Sequence, residues 1–132
     1  MKNIELMNHW VESSDRDFEV VQDLFKSKRY DHALFFAHLV LEKLFKALFA
    51  KIHEKAPIAP KIHNLVVLAE KCNLELDDET HYKLSEINSF NMNARYDHIK
   101  FEFYKRCTKE YSMKKLEIIK EIREWVKELI KK

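Results

Sequence analysis

The chain contains no glycine and only two prolines among its 132 residues. Hairpins, bulges and barrel corners lean on glycine, so an all-β fold is disfavoured. Glycine-rich phosphate loops are excluded outright, because neither G-x-G-x-x-G nor a P-loop can be written without glycine. A nucleotide held by this chain is held by side chains or by a helix N-terminus. Cysteine is equally scarce: Cys72 and Cys107 are the only two, and they form no C-x-x-C pair. That argues against a structural zinc site and against a disulfide framework. No apolar run approaches membrane-spanning length, and the opening MKNIELMNHWVESSDRDF places acids early, without the apolar core of a secretion signal. The expectation is a soluble, cytoplasmic protein with no membrane association, kept reduced.

What is present favours helices. Charged residues make up 35% of the chain, mostly Lys and Glu, which propagate helices well. Hydrophobic residues at 46% suffice for one packed core in a single domain over residues 1–132. The 24 basic and 22 acidic residues leave a net charge of only +2, without the strong basic excess of many nucleic-acid binders. RNA stays possible as a ligand, through a local patch, but net charge does not support it.

Ile4, Met7, Val11, Ser14, Phe18, Val21 and Phe25 recur in steps of three and four. They predict one amphipathic helix of about seven turns, with Trp10 widening its apolar stripe. A second helix is expected from near Asp31, with Asp31 as its N-cap, through HALFFAHLVLEKLFKALFAKI. It is apolar around most of its circumference and is expected at the centre. Both prolines fall in the following loop, HEKAPIAPK. A third helix is predicted over NLVVLAEKC with Asn64 as cap, and a fourth from LDDETHYKLSEINSF with Asp77 or Asp78 as cap. The stretch NMNARYDHIKFEFYKRCTK shows no helical stripe. Ile99, Phe101 and Phe103 alternate there with charges, as in a locally extended loop. The last helix is expected from about Glu110, burying Leu116, Ile119, Ile122, Val126 and Leu129.

The tetrapeptide Arg-Tyr-Asp-His occurs twice, at 29–32 and at 95–98. The first copy sits at a helix start, where Asp31 caps and Tyr30 packs. The second lies in the long loop, among Asn91, Asn93 and Lys100. Long loops inside helical domains are often functional. Arg95 offers a planar fork for phosphate or carboxylate, Tyr96 a ring to stack on a base or a hydroxyl to donate, and His98 an imidazole that titrates near neutrality. Alternatively, Arg95 and Asp97 pin the loop to the helices and Tyr96 fills the edge of the core. His38, Glu42 and Lys46 stand at i, i+4 and i+8 on one helix face. They either line a cleft, with Lys46 attracting phosphate, or form a Glu42–Lys46 ladder at a groove edge. His63, before Asn64 at a helix start, reads as a packing and hydrogen-bonding residue. The seven histidines show no H-E-x-x-H or H-x-H pairing, so no metal site is expected.

Three segments together resemble the HEPN family (higher eukaryotes and prokaryotes nucleotide-binding). YDHALFFAHLVLEKLFKALFA is similar to the family's Ala-x-x-x-x-Glu-Lys-x-x-Lys-Ala core helix. KIHNLVVLAEKC looks like its His-Asn/Asp-Leu helix start, and NARYDHIKFEFYKRCTKEYSMKKLEIIKEIREWV like its Ala-Arg-Tyr loop and closing helix. The order and spacing agree over nearly the whole chain. The resemblance implies an all-α, up-and-down bundle of four to five helices that commonly dimerises. It also implies a small nucleotidyltransferase as partner, often in a toxin–antitoxin pair, and either nucleotide binding or metal-independent ribonuclease activity.

The ribonuclease branch separates its Arg and His by four to six residues. Only two residues lie between Arg95 and His98, and no Arg in the chain has a His at the family's spacing. The catalytic pair therefore does not carry over. The Ala-Arg-Tyr branch looks non-nucleolytic and implies a binding or partner-docking role for Arg95, Tyr96 and Asp97. The primary expectation is a homodimeric module for a nucleotide or phosphorylated ligand, acting with a nucleotidyltransferase. Arg95 holds phosphate, Tyr96 stacks or donates, Asp97 orients Arg95, and Lys46 and Glu42 line the same cleft. One alternative is a ribonuclease toxin using Arg95 and His98, and another is a non-catalytic, antitoxin-like dimer. No cofactor is called for.

Overall fold

The computed structural model describes residues 2–93 and 97–132. Every regular element among them is a helix: α1 (Asn3–Lys26), α2 (Tyr30–Ile52), α3 (Leu65–Lys71), α4 (Asp78–Asn93), α5 (Asp97–Arg106) and α6 (Lys109–Lys131). The fold is an all-helical bundle, with six helices rather than four or five.

α2 is the axis of the bundle, as its apolar circumference requires. α1 runs along one side of it, α6 along another, and α3, α4 and α5 close the remainder. Ala33, Leu34, Ala37, Val40, Leu41, Leu44, Phe45, Ala47 and Ala50 of α2 are all fully enclosed. The small side chain of Ser14 lets α1 approach closely, and its hydroxyl donates to the Val40 carbonyl at 2.8 Å. Phe18 and Val21 bury beside it, whereas Ile4, at the start of the same stripe, is exposed. At the far end Lys51 Nζ donates to the carbonyls of Leu129 and Ile130 at 3.1 and 2.7 Å. It thereby satisfies acceptors that the last turn of α6 leaves open.

The absence of glycine is visible in the turns. Two residues adopt the left-handed conformation that glycine usually supplies, Lys28 after α1 (φ 63°) and Asn73 after α3 (φ 61°). Asparagine tolerates this region through local hydrogen bonding, and lysine bears the steric cost without that help.

Two expected caps, Asn64 and Asp77, are present, and a third that the sequence reading did not name, Thr108, joins them. Asn64 Oδ1 accepts from the backbone N–H of Val66 and Val67, Asp77 Oδ1 accepts from Thr80 N at 2.7 Å, and Thr108 Oγ1 accepts from Tyr111 N to open α6. Asp31 departs from expectation. Helix α2 begins two residues earlier than an Asp31 cap requires, with Arg29 at the cap position and no side-chain cap bond. Asp31 lies inside the first turn, where its charge still favours the positive helix end.

The larger correction concerns residues 91–109. Asn91–Asn93 complete α4, and Asp97–Arg106 form a helix instead of an extended loop. Asp97 in the first turn and Lys105 and Arg106 in the last match the helix macrodipole. Phe103 is the one residue of α5 that buries, packed on Phe90 with ring centroids 5.6 Å apart. A helix anchored by a single buried residue has no stripe for periodicity to find.

Candidate functional site

The end of α4 and the start of α5 meet the N-terminal half of α2, and hollows open on both sides of Asn91. One, of about 330 Å³, is lined by Asp31, His32, Phe35 and Phe36 from α2, Asn91 from α4, and Lys100 and Phe103 from α5. Its walls are aromatic and its rim is polar, the usual construction of a small-molecule site. A second, of about 270 Å³, shares Asp31 and Lys100 with it and adds Asp97, Phe101 and Tyr104. The Phe101 and Tyr104 rings stack there at 6.3 Å and both are exposed. A third, of about 280 Å³, lies across Asn91 and is lined by His38, His63, Asn64, Asn88, Asn91 and Met92.

Described residues of the two Arg-Tyr-Asp-His copies meet at these hollows. Asp31 and His32 of the first copy stand with Asp97 of the second and with Lys100 around the paired hollows. Asp31 is largely enclosed, and its Oδ1 accepts from His32 Nδ1 at 3.1 Å. Arg95 and Tyr96 lie outside the described residues, but the residues that follow Asn93 and precede Asp97 in the chain are these two and Ala94. His98, the imidazole of the ribonuclease alternative, is exposed on the first turn of α5.

Glu42 and Lys46 occupy a different place. The Glu42 side chain is 7% exposed, and its carboxylate is fully engaged. Oε2 accepts from Lys46 Nζ at 3.1 Å, and Oε1 accepts from His63 Nδ1 at 2.9 Å. Lys46 also lies over the Trp10 ring, 5.2 Å from its centroid. The ladder reading of Glu42–Lys46 describes this geometry, with His63 as an added partner supplied by the loop before α3. Behind it His38 is fully buried, and its Nε2 donates to the His63 carbonyl at 2.9 Å. That bond assigns the proton to Nε2 and leaves Nδ1 as a lone pair, 3.8 Å from Glu42 Oε1. Burial holds the His38 pKa below its ordinary 6.5, against the opposing pull of Glu42. The third hollow touches this network through His38 and His63, whereas Asp97 lines the second.

The amide ring at α3 is built from the same sequence signal that capped the helix. Asn88 Oδ1 accepts from Leu65 N at 2.8 Å, and Asn88 Nδ2 donates to Asn64 Oδ1 at 3.0 Å. Asn64 therefore fixes α3 to α4 as well as starting α3.

Both cysteines are buried and free, and Cys72 Sγ donates to the Phe45 carbonyl at 3.3 Å. Burial pushes each thiol up to about 12, which leaves neither as a nucleophile. Among the described residues no three His, Cys, Asp or Glu side chains gather as a metal site requires, and no helix is long and apolar enough to cross a membrane.

Several lining residues were not legible as a site. Phe35 gave no signal in the sequence because α2 is apolar nearly all round, and Phe103 looked like one tooth of a strand. The repeated tetrapeptide was the available clue, but its first copy reads in the sequence as a helix cap rather than as part of a site.

Comparison with known proteins returns no match among curated proteins and none among solved structures. The family description HEPN domain, by contrast, matches residues 7–129, nearly the whole chain and all three segments that carry the resemblance. This chain belongs to the HEPN domain family.

Proposed function

We propose that the protein is a nucleotide-binding module whose ligand lies on the face formed by the start of α2, the end of α4 and α5. Family membership supports the class of function. The observation that carries the location is the aromatic-walled hollow rimmed by Asp31, His32, Asn91 and Lys100. Phe35, Phe36 and Phe103 offer apolar surface for a planar ring, and Lys100 offers charge for phosphate. Arg95 adds the bidentate phosphate contact, Tyr96 stacks or donates, and Asp97 orients Arg95. Glu42 and Lys46 support this face from within the bundle, setting His63 and the start of α3. The module acts as a homodimer alongside a small nucleotidyltransferase, in a toxin–antitoxin type of pair.

Titration with ribose-labelled fluorescent ATP and GTP tests the reading. Saturable binding is expected, weakened about tenfold or more in Arg95→Ala and in Lys100→Ala, because each removes a charge-assisted contact. Absence of saturable binding, or binding indifferent to both substitutions, overturns it. Cleavage of RNA in EDTA, abolished by His98→Ala, would replace it with the ribonuclease reading.

A further inference from the structure

The paired hollows between α2 and α5 have a carboxylate and an ammonium in common, Asp31 and Lys100. The Asp31 side chain is 11% exposed, and its Oδ1 accepts from His32 Nδ1. Its carboxylate stands at the edge of an aromatic-walled space. A partly enclosed carboxylate in that position calls for N–H donors. Phe35, Phe36 and Phe103 favour a flat ring. Lys100 disfavours a cation in the same space and favours an anionic group nearby. The matching ligand is planar, presents two adjacent N–H donors along one edge, and carries negative charge elsewhere.

Guanine nucleotides meet all three conditions. The N1–H and 2-amino groups of guanine lie side by side and match the two oxygens of a carboxylate, as they would in a bidentate pair. Adenine presents the lone pair of N1 at that position, which a carboxylate repels. Hypoxanthine keeps the N1–H and lacks the amino group. We infer that the α2–α5 groove selects guanine nucleotides, with Asp31 reading the N1–H and 2-amino edge of the base and Lys100 facing its anionic portion. The His32 contact holds the carboxylate in one orientation for that edge. The inference rests on the nucleotide-binding reading above and adds the identity of the base.

The test is displacement of a ribose-labelled fluorescent GTP from the full chain by unlabelled GTP, ITP and ATP. GTP is expected to displace the probe at a concentration about tenfold or more below that of ATP, with ITP between them, in line with the discrimination a bidentate base contact provides. In Asp31→Asn the order should collapse, because one acceptor becomes a donor and the charge that repels adenine N1 is gone. Equal displacement by the three nucleotides in the unaltered protein overturns the inference and leaves nucleotide binding standing. So does a GTP preference that persists in Asp31→Asn. If the fluorescent GTP does not bind while ribose-labelled ATP does, the inference falls and nucleotide binding stands; if neither binds, both readings fall. The comparison of GTP with ITP uses no variant, so it decides the matter even if Asp31→Asn does not fold.

Discussion

Glu42 shows how one buried carboxylate organises its surroundings. It accepts from Lys46 on its own helix and from His63 across the bundle, with His38 beside it. Removing it leaves the largely enclosed Lys46 ammonium without its carboxylate and frees the more exposed His63. Glu42→Ala is expected to cost about 2–3 kcal/mol, the range for hydrogen bonds to charged groups, read as a shift in the urea midpoint. A loss under about 0.5 kcal/mol would mean that the network is ornamental. His38 makes a pH prediction. Its folded pKa lies below 6.5, so the unfolded chain binds the proton more readily as pH falls through that value. Its contribution to stability is therefore intact above the unfolded pKa and lost below it. Stability should decline from about pH 7 to 5.5, and that slope should flatten in His38→Gln, whatever the variant's absolute stability. Both thiols, pushed up to about 12 by burial, should resist iodoacetamide at neutral pH in the native protein and react once it is unfolded. The spacing of His38, Glu42 and Lys46 was legible in the sequence because it lies within one helix. The partnership with His63 was not, because it depends on how the loop before α3 returns to α2.

At the scale of elements, legibility followed the width of the buried face. α1, α2 and α6 each bury a continuous stripe and announce themselves by period. α3 is short, but Asn64 marks its start. α5 buries Phe103 alone, so its alternating Ile99, Phe101 and Phe103 imitate a strand. This makes a sharp contrast testable. Phe103→Ala should cost about 3–5 kcal/mol by opening the core beside Phe90. Phe101→Ala, on the exposed face, should stay within about 0.5 kcal/mol. Equal effects in chemical denaturation would mean that α5 packs in another orientation. The candidate site was half legible for a related reason. Sequence chemistry flagged Arg95, Tyr96 and Asp97 as a group; of these Asp97 lines a hollow with Lys100, while Asp31, His32, Phe35 and Phe36, more than fifty residues earlier, supply the α2 wall. Only tertiary packing joins the two, and a helix-start reading of Asp31 accounted for that residue without a ligand.

For the whole molecule, the bundle places its aromatic hollow with Asp31, His32, Asp97 and Lys100 on one face, while Glu42 and Lys46 pair with each other and with His63. A near-neutral net charge fits recognition by a built site rather than by a broad electrostatic field. The most direct test is a ¹H–¹⁵N correlation spectrum of the protein titrated with GTP. The account predicts saturable shifts concentrated at Asp31, His32, Phe35, Phe36, Asn91, Lys100 and Phe103, with the amides around Glu75, Lys83 and Trp125 unmoved. Shifts centred instead on the separate hollow that Glu75, Lys83 and Trp125 line, or no shifts at all, would contradict it.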